Sequence, residues 1–209
     1  MLRSGDIFRA GKQGGVVGAF LKGRRGCIGV TAYHIMRLAK TKNLTIGEVK
    51  EEVVADWRAF DLVYFRAAGC EPTPLAMPRL GPGRLASALG ARDCSISDVG
   101  DLISIVIGHS EMPGPGESGT PLYQDGKVVG ILSSINLNTG KRTIISARVI
   151  EKGAEGLIGL GAQNSSPISP PMPPTPPPRE RRRWRRRLAR PAGAGRSPAG
   201  LQASRNDRD

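Results

Sequence analysis

Aromatic residues are scarce in this chain: Phe, Trp and Tyr together make up 4% of 209 residues. A core must therefore be built from Val, Ile and Leu. Histidine is scarcer still, so imidazole chemistry has two candidates, His34 and His109. The three cysteines, Cys27, Cys70 and Cys94, are odd in number and lack the paired spacing of a zinc site. They read as reduced thiols in a cytosolic setting, and no metal or other cofactor is expected. No apolar run approaches the ~20 residues that cross a bilayer, so no membrane-spanning segment is expected. The opening Met1-Leu2-Arg3-Ser4-Gly5-Asp6 is not a secretory signal. Neither βαβ alternation nor a long internal repeat is visible, which argues against doubly wound and solenoid folds.

What is present is a series of short, β-branched runs punctuated by Gly, Pro, Asn and Asp. "GGVVGAFL", "GCIGVTAY", "DLVYFRA", "DLISIVIG", "TPLY", "KVVGILSSINL" and "RTIISARVI" all read as strands. Asp125-Gly126 lies between two of them, a strong hairpin signal, and "LNTGKRT" is a second hairpin turn. "YHIMRLAKTK" reads as a short turn or helix, and "IGEVKEEVVADW" also looks helical. Many short strands with frequent turns imply an all-β barrel or sandwich.

The composition changes near Gly161. Eleven arginines and three acids follow it, so +8 of the net charge of +13 falls in the last 48 residues. The chain is therefore expected to divide into a folded domain, 1–161, and a disordered tail, 162–209. The tail is first Pro-rich, a stiff spacer, and then Arg-rich, with too little apolar surface to offset ordering entropy. Its densest block holds Arg181, Arg182, Arg183, Trp184, Arg185, Arg186 and Arg187. Such a block suits RNA: each phosphate contact releases counterions, and Trp184 can stack on a base. A nuclear-entry signal is the competing reading of the same block.

"GPGESGTPLY", Gly114 to Tyr123, contains G-x-G-x-x-G. A phosphate-binding loop of that form must open a helix. Here Thr120-Pro121-Leu122-Tyr123 and an Asp-Gly hairpin follow, which is a strand. The serine within it suits a different chemistry. A hydroxyl becomes a nucleophile when an imidazole takes its proton, and the imidazole must be oriented by a carboxylate. His34 ends one apolar run and Asp61 opens another, with Asp56 as a competing acid. The order His, Asp, Ser is that of the chymotrypsin-type arrangement.

These residues carry a family resemblance. "VTAYH", "FDLVYFR" and "GPGESGTPLYQDGKVVGIL" resemble, in order, the three catalytic blocks of chymotrypsin/trypsin-like serine proteases. The short Ser-Gly-Thr-Pro-Leu-Tyr form is most similar to small proteases of positive-strand RNA viruses, such as the sobemoviruses. The resemblance implies an all-β, chymotrypsin-like double β-barrel, two six-stranded antiparallel barrels with the site between them. It also implies a serine endopeptidase, in a virus one that processes a polyprotein in the host cytoplasm. Ser118 would be the nucleophile, His34 the base and Asp61 its orienting carboxylate. The amides of Gly116 and Ser118 would form the oxyanion hole, and Gly119 would keep the far side of the turn open.

The resemblance further places Met112 and Pro113 at the base of the substrate pocket and Ser133, Ser134 and Ile135 along one wall. A neutral, small to medium substrate residue is expected there. His109 either borders the pocket or ends a strand. Tyr33 stands where the family has a small residue. Ile35 stands where secreted members have a cysteine, and Glu117 replaces the usual Asp before the serine, so no activating cut is expected. The rival class is an RNA-binding or virion-associated protein on an inactive barrel of this kind. Deleting residues 162–209 is expected to weaken RNA retention and flatten its salt dependence while sparing peptide cleavage. Filter binding across a salt series, with a peptide assay alongside, checks this.

Overall fold

The computed structural model describes residues 1–24, 26–135 and 142–158. In the first half β1 (Ile7–Ala10), β2 (Gln13–Val16), β3 (Ala19–Gly23) and β4 (Gly26–Ala32) lead into helix α1 (Tyr33–Ala39). Strands β5 (Asn43–Ile46), β6 (Val49–Trp57) and β7 (Leu62–Ala67) complete that half. The second half contains β8 (Gly81–Ser87), β9 (Gly90–Asp98), β10 (Leu102–Val106), β11 (Pro121–Gln124), β12 (Lys127–Ile135) and β13 (Arg142–Ser146). Helix α2 (Ala147–Ile158) follows them.

The second-half strands form a closed barrel in the order β10-β13-β12-β11-β8-β9. The first-half sheet runs β2-β1-β5-β6-β7-β4-β3, seven segments where six strands were expected. The reason is a bend. β2 and β3, at opposite ends of that order, are successive parts of the stretch 13–23. At the bend Val17 donates its amide to the Asp6 carbonyl (2.8 Å) and Gly18 donates to the Val30 carbonyl (2.8 Å). One strand thus serves both ends of the sheet and curls it around the core.

That core holds Phe8, Val17, Phe20, Ile35, Met36, Leu44, Val63 and Phe65. The Phe20 and Phe65 rings meet edge-on, 6.0 Å apart at 83°, a geometry worth about 1 kcal/mol beyond the area it buries. The closed barrel is filled by Leu85, Ile96, Ile103, Leu122, Val129, Leu132 and Ile144. A third cluster lies under α2, where Val149, Ile150 and Ala154 cover Leu21, Val30, Leu62 and Tyr64. Leu62, Val63, Tyr64 and Phe65 are all buried because β7 has the core on one face and α2 on the other. Tyr64 anchors the helix by donating its hydroxyl to the Ile150 carbonyl at 2.9 Å. Its phenol is pushed well above the usual tyrosine range by burial.

Three sequence expectations need correction. The stretch 46–57 is not a helix: Gly47, with φ +59°, turns β5 into β6. "RTIISARVI" is a strand only to Ser146. From Ala147 the apolar residues Val149, Ile150, Ala154, Leu157 and Ile158 follow a helical period and form the buried face of α2. The cysteines are not all reduced thiols, since Cys27 and Cys70 form a disulfide. β4 and β7 pair with Cys27 opposite Ala67, which brings Cys70 back beside Cys27. Disulfides belong to oxidising surroundings, so the cytosolic inference drawn from reduced thiols loses its basis. Among the described residues no helix is long and apolar enough to cross a membrane. The hairpin turn expected at "LNTGKRT" falls largely at 136–141, outside the described residues, although β12 and β13 pair antiparallel on either side of it.

The disulfide closes a loop of 43 residues in sequence separation, and chain entropy assigns such a crosslink about 4 kcal/mol. Cys70→Ser is expected to lower the unfolding free energy by up to about that amount. Urea denaturation with and without reductant measures it: wild type should lose stability on reduction, and the variant should not respond.

Candidate active site

Three elements converge at the junction of the two halves. His34 is the second residue of α1, whose N-cap, Ala32, has no side chain to bond the first amides. Asp61 does this from outside. Its main-chain carbonyl accepts from Tyr33 N (2.8 Å), and its Oδ1 accepts from His34 N (2.7 Å). Asp61 follows a 3-10 turn, Arg58–Phe60, and adopts φ 55°, a left-handed conformation that Asp tolerates better than most residues. That turn aims the carboxylate back at α1 just before β7 begins.

The other carboxylate oxygen, Oδ2, lies 2.7 Å from His34 Nδ1. A carboxylate only accepts, so Nδ1 carries a proton, and in the neutral imidazole Nε2 then keeps a lone pair. Nε2 lies 3.0 Å from the Ser118 hydroxyl oxygen and accepts from it. Oδ2 also accepts from the Ser133 hydroxyl. The His34 and Asp61 side chains are 27% and 26% exposed, open enough for a substrate to reach. Burial pushes the Asp61 carboxyl upward, but the hydrogen bonds from His34 and Ser133 outweigh it. The group ends below its ordinary 3.8 and is ionised at neutral pH.

Ser118 sits on a turn held from both sides. Its carbonyl accepts from Val16 N at 2.9 Å, and Gly119 N donates to the Leu132 carbonyl at 2.6 Å. Gly119 has φ +95°, and a Cβ there would lie 1.9 Å from the Val16 carbonyl oxygen. Glycine is therefore demanded by close approach of β2, rather than by the open space expected on that side. Gly116 has φ +87° and nothing within 4 Å of a would-be Cβ. The amides of Gly116 and Ser118 have no hydrogen-bond partner among the described residues.

Other expected site residues fall in different places. Met112 is half-buried and Pro113 buried, on the segment leading from the 3-10 turn His109–Glu111 into Gly114. His109 is exposed on that turn. Ser133 is buried, and its hydroxyl is turned to Asp61 rather than to a pocket wall. Ser134 and Ile135 lie on β12, and their side chains are outside the described set. Arg181, Arg182, Arg183, Trp184, Arg185, Arg186 and Arg187 are also outside the described residues. Asp56, the competing acid, pairs with Arg58 at 2.9 Å. The Arg58 guanidinium lies 5.5 Å from the centre of the Tyr33 ring, so the large residue before His34 packs on the turn that delivers Asp61.

Sequence reasoning missed two partners. Ser133 gave no sign of facing Asp61, because one of two tandem serines must point each way along a strand. Arg92, which pairs with Glu117, lies in a polar stretch with no motif at all.

No family model and no curated protein matches the chain. Solved structures do match in fold. Nocardiopsis protease is 14% identical over 72% of this chain and 95% of its own, with a TM-score of 0.54. The serine endoprotease from Yersinia pestis is 18% identical over 76% and 65%, with a TM-score of 0.57. Cellulomonas bogoriensis chymotrypsin is 19% identical over 75% and 96%, with a TM-score of 0.53. The fold is chymotrypsin-like.

Because the folded-state pKa of Asp61 is depressed, the carboxylate stabilises the fold above its unfolded value. That contribution is lost as pH falls through the folded value. Asp61→Asn removes it. The difference in unfolding free energy between wild type and variant is expected to be largest near neutrality and to shrink below pH 3.8. Urea unfolding at a series of pH values from neutral into the acid range measures it.

Proposed function

We propose that this chain is a serine endopeptidase that cuts peptide bonds through an acyl-enzyme. The observation that carries the reading is one continuous line of hydrogen bonds, Asp61 to His34 to Ser118, with lengths of 2.7 and 3.0 Å. Fold likeness alone does not carry it, because chemistry belongs to sites and not to folds.

As His34 Nε2 takes its proton, Ser118 Oγ attacks the substrate carbonyl. The carbonyl oxygen becomes an oxyanion and accepts from the amides of Gly116 and Ser118, which have no partner among the described residues. Asp61 holds the His34 tautomer and stabilises the imidazolium. The tetrahedral adduct collapses, the C–N bond breaks, and the leaving amine takes the proton from His34. Water then attacks the ester, again giving its proton to Nε2, and the acid product leaves as Ser118 regains its hydrogen. An extended substrate can pair with the end of β12, where Ser133 to Ile135 run past the serine turn.

The finer reading is a viral polyprotein-processing enzyme whose tail, 162–209, holds it near RNA. It rests on the Ser-Gly-Thr-Pro-Leu-Tyr motif form and on the arginine block from Arg181 to Arg187.

A fluorophosphonate probe is expected to label the folded protein, and Ser118→Ala is expected to abolish labelling. A peptide library should be cleaved by the wild type at least about 1000-fold faster than by Ser118→Ala or His34→Ala. Absence of labelling in folded wild type would favour a binding protein on an inactive barrel.

A further inference from the structure

Glu117, the residue immediately before the proposed nucleophile, is 5% exposed and carries a carboxylate. A buried carboxylate is costly unless its charge is answered and its oxygens are bonded. Both conditions are met locally. Oε2 accepts from the Gly114 amide, and Oε1 accepts from Arg92 Nη1. The Glu117 carbonyl accepts twice from Thr120, from N at 3.0 Å and from Oγ1 at 2.6 Å. The Glu117 amide donates to the Gly114 carbonyl at 3.3 Å. The segment 114–120 is thus a knot of short-range bonds, and one charge from outside reaches it. That charge stands on β9, where Arg92 pairs with Leu85 of β8. The Arg92 side chain is 22% exposed, against 7% for Glu117.

The knot matters because of what it orients. Gly116, with φ +87°, lies inside the loop that the Gly114–Glu117 bonds close. If the Glu117 carboxylate left the interior to reach water, the Gly114 amide would lose its acceptor. The 114–117 turn would then open, and the Gly116 amide would rotate away from the point where the oxyanion develops. Among the described residues no hydrogen bond or ion pair joins Arg92 to Asp61, His34 or the Ser118 hydroxyl, so the bonds among those three do not run through it.

We propose that Arg92 is a positioning residue: its ion pair with Glu117 keeps the Gly116 and Ser118 amides aimed at the oxyanion. The turn is then held by a side chain of its own barrel and needs no chain terminus to complete it. This rests on the peptidase reading for its kinetic consequence, but not for its structural one.

The test uses the full chain with Arg92→Met, Arg92→Lys and the double change Arg92→Met with Glu117→Gln. Arg92→Met leaves the buried carboxylate without its counter-charge. It is expected to cut kcat about 100-fold or more, the scale of losing one oxyanion donor, with KM within about 3-fold, since ground-state contacts are untouched. Phosphonate labelling should slow in parallel. Arg92→Lys should restore part of kcat. The double variant removes the stranded charge while Gln can still accept from Gly114, and is expected to recover at least about 10-fold over Arg92→Met. A residue that served stability alone would leave kcat per folded molecule unchanged.

In 15N-labelled protein the Gly114 and Gly116 amide resonances should shift and exchange faster in Arg92→Met. If folded Arg92→Met shows wild-type kcat and unmoved glycine amides, the proposal is wrong. If Arg92→Met does not fold, the double variant and Arg92→Lys decide it by the same readouts. Wild type that is never labelled would sink the peptidase reading, while the glycine amides would still decide the role of Arg92.

Discussion

The peptide groups of Val16 are the joint on which the arrangement depends. Its amide donates to the Ser118 carbonyl at 2.9 Å, and its carbonyl accepts from the buried Thr31 hydroxyl at 2.7 Å. The same carbonyl oxygen occupies the space a Gly119 side chain would need. Val16 ends β2, immediately before the bend that makes one strand serve both ends of the first sheet. Thr31 lies on β4, three residues before His34. One residue thus connects the curl of the first barrel, the strand that leads to the imidazole, and the turn that bears the hydroxyl. The distance from His34 to Ser118 is a consequence of this joint: neither side chain is long enough to bridge barrels that are misplaced by even an ångström or two.

Much of this was legible in the residues. The three motif blocks pointed to His34, Asp61 and Ser118, and the structure brings those side chains into one hydrogen-bonded line. The Asp125-Gly126 hairpin and helix α1 also followed from local signals. Local signals failed where tertiary context decides. β8 and β9 bury few apolar residues, Leu85 and Ile96 among them, so their pattern was too polar to read as strand. The acidic stretch of β6 resembled a helix because Lys50, Glu52 and Asp56 are exposed beside a β-branched run, while Glu51 turns inward to accept from Ala68 N. The switch from β13 to α2 was hidden because Ser146 and Ala147 interrupt nothing; only the change of period after them marks it. The disulfide required the β4–β7 register, which no spacing in the chain supplies.

The site uses its charges in two ways. Asp61 is partly open and works through geometry: three donors fix it, and it fixes the imidazole. Glu117 is nearly closed off and acts on backbone amides instead. On the proposed peptidase reading, two carboxylates on either side of one serine address different parts of a single reaction, the proton and the oxyanion. Neither has to touch the substrate.

The hairpin that carries Arg92 is polar: Gly90–Asp98 is largely exposed, Gly81–Ser87 is mostly half-buried, and each strand buries one residue, Ile96 and Leu85. Beyond Leu85 and Ile96 little apolar surface holds it to the rest, and few buried apolar contacts favour local opening. A brief lifting of β9 would withdraw the guanidinium and Ile96 together, while the core of the first half stayed intact. On the proposed peptidase reading, catalytic competence is thus more fragile than foldedness, because the support of the serine turn hangs on a hairpin with little buried apolar surface.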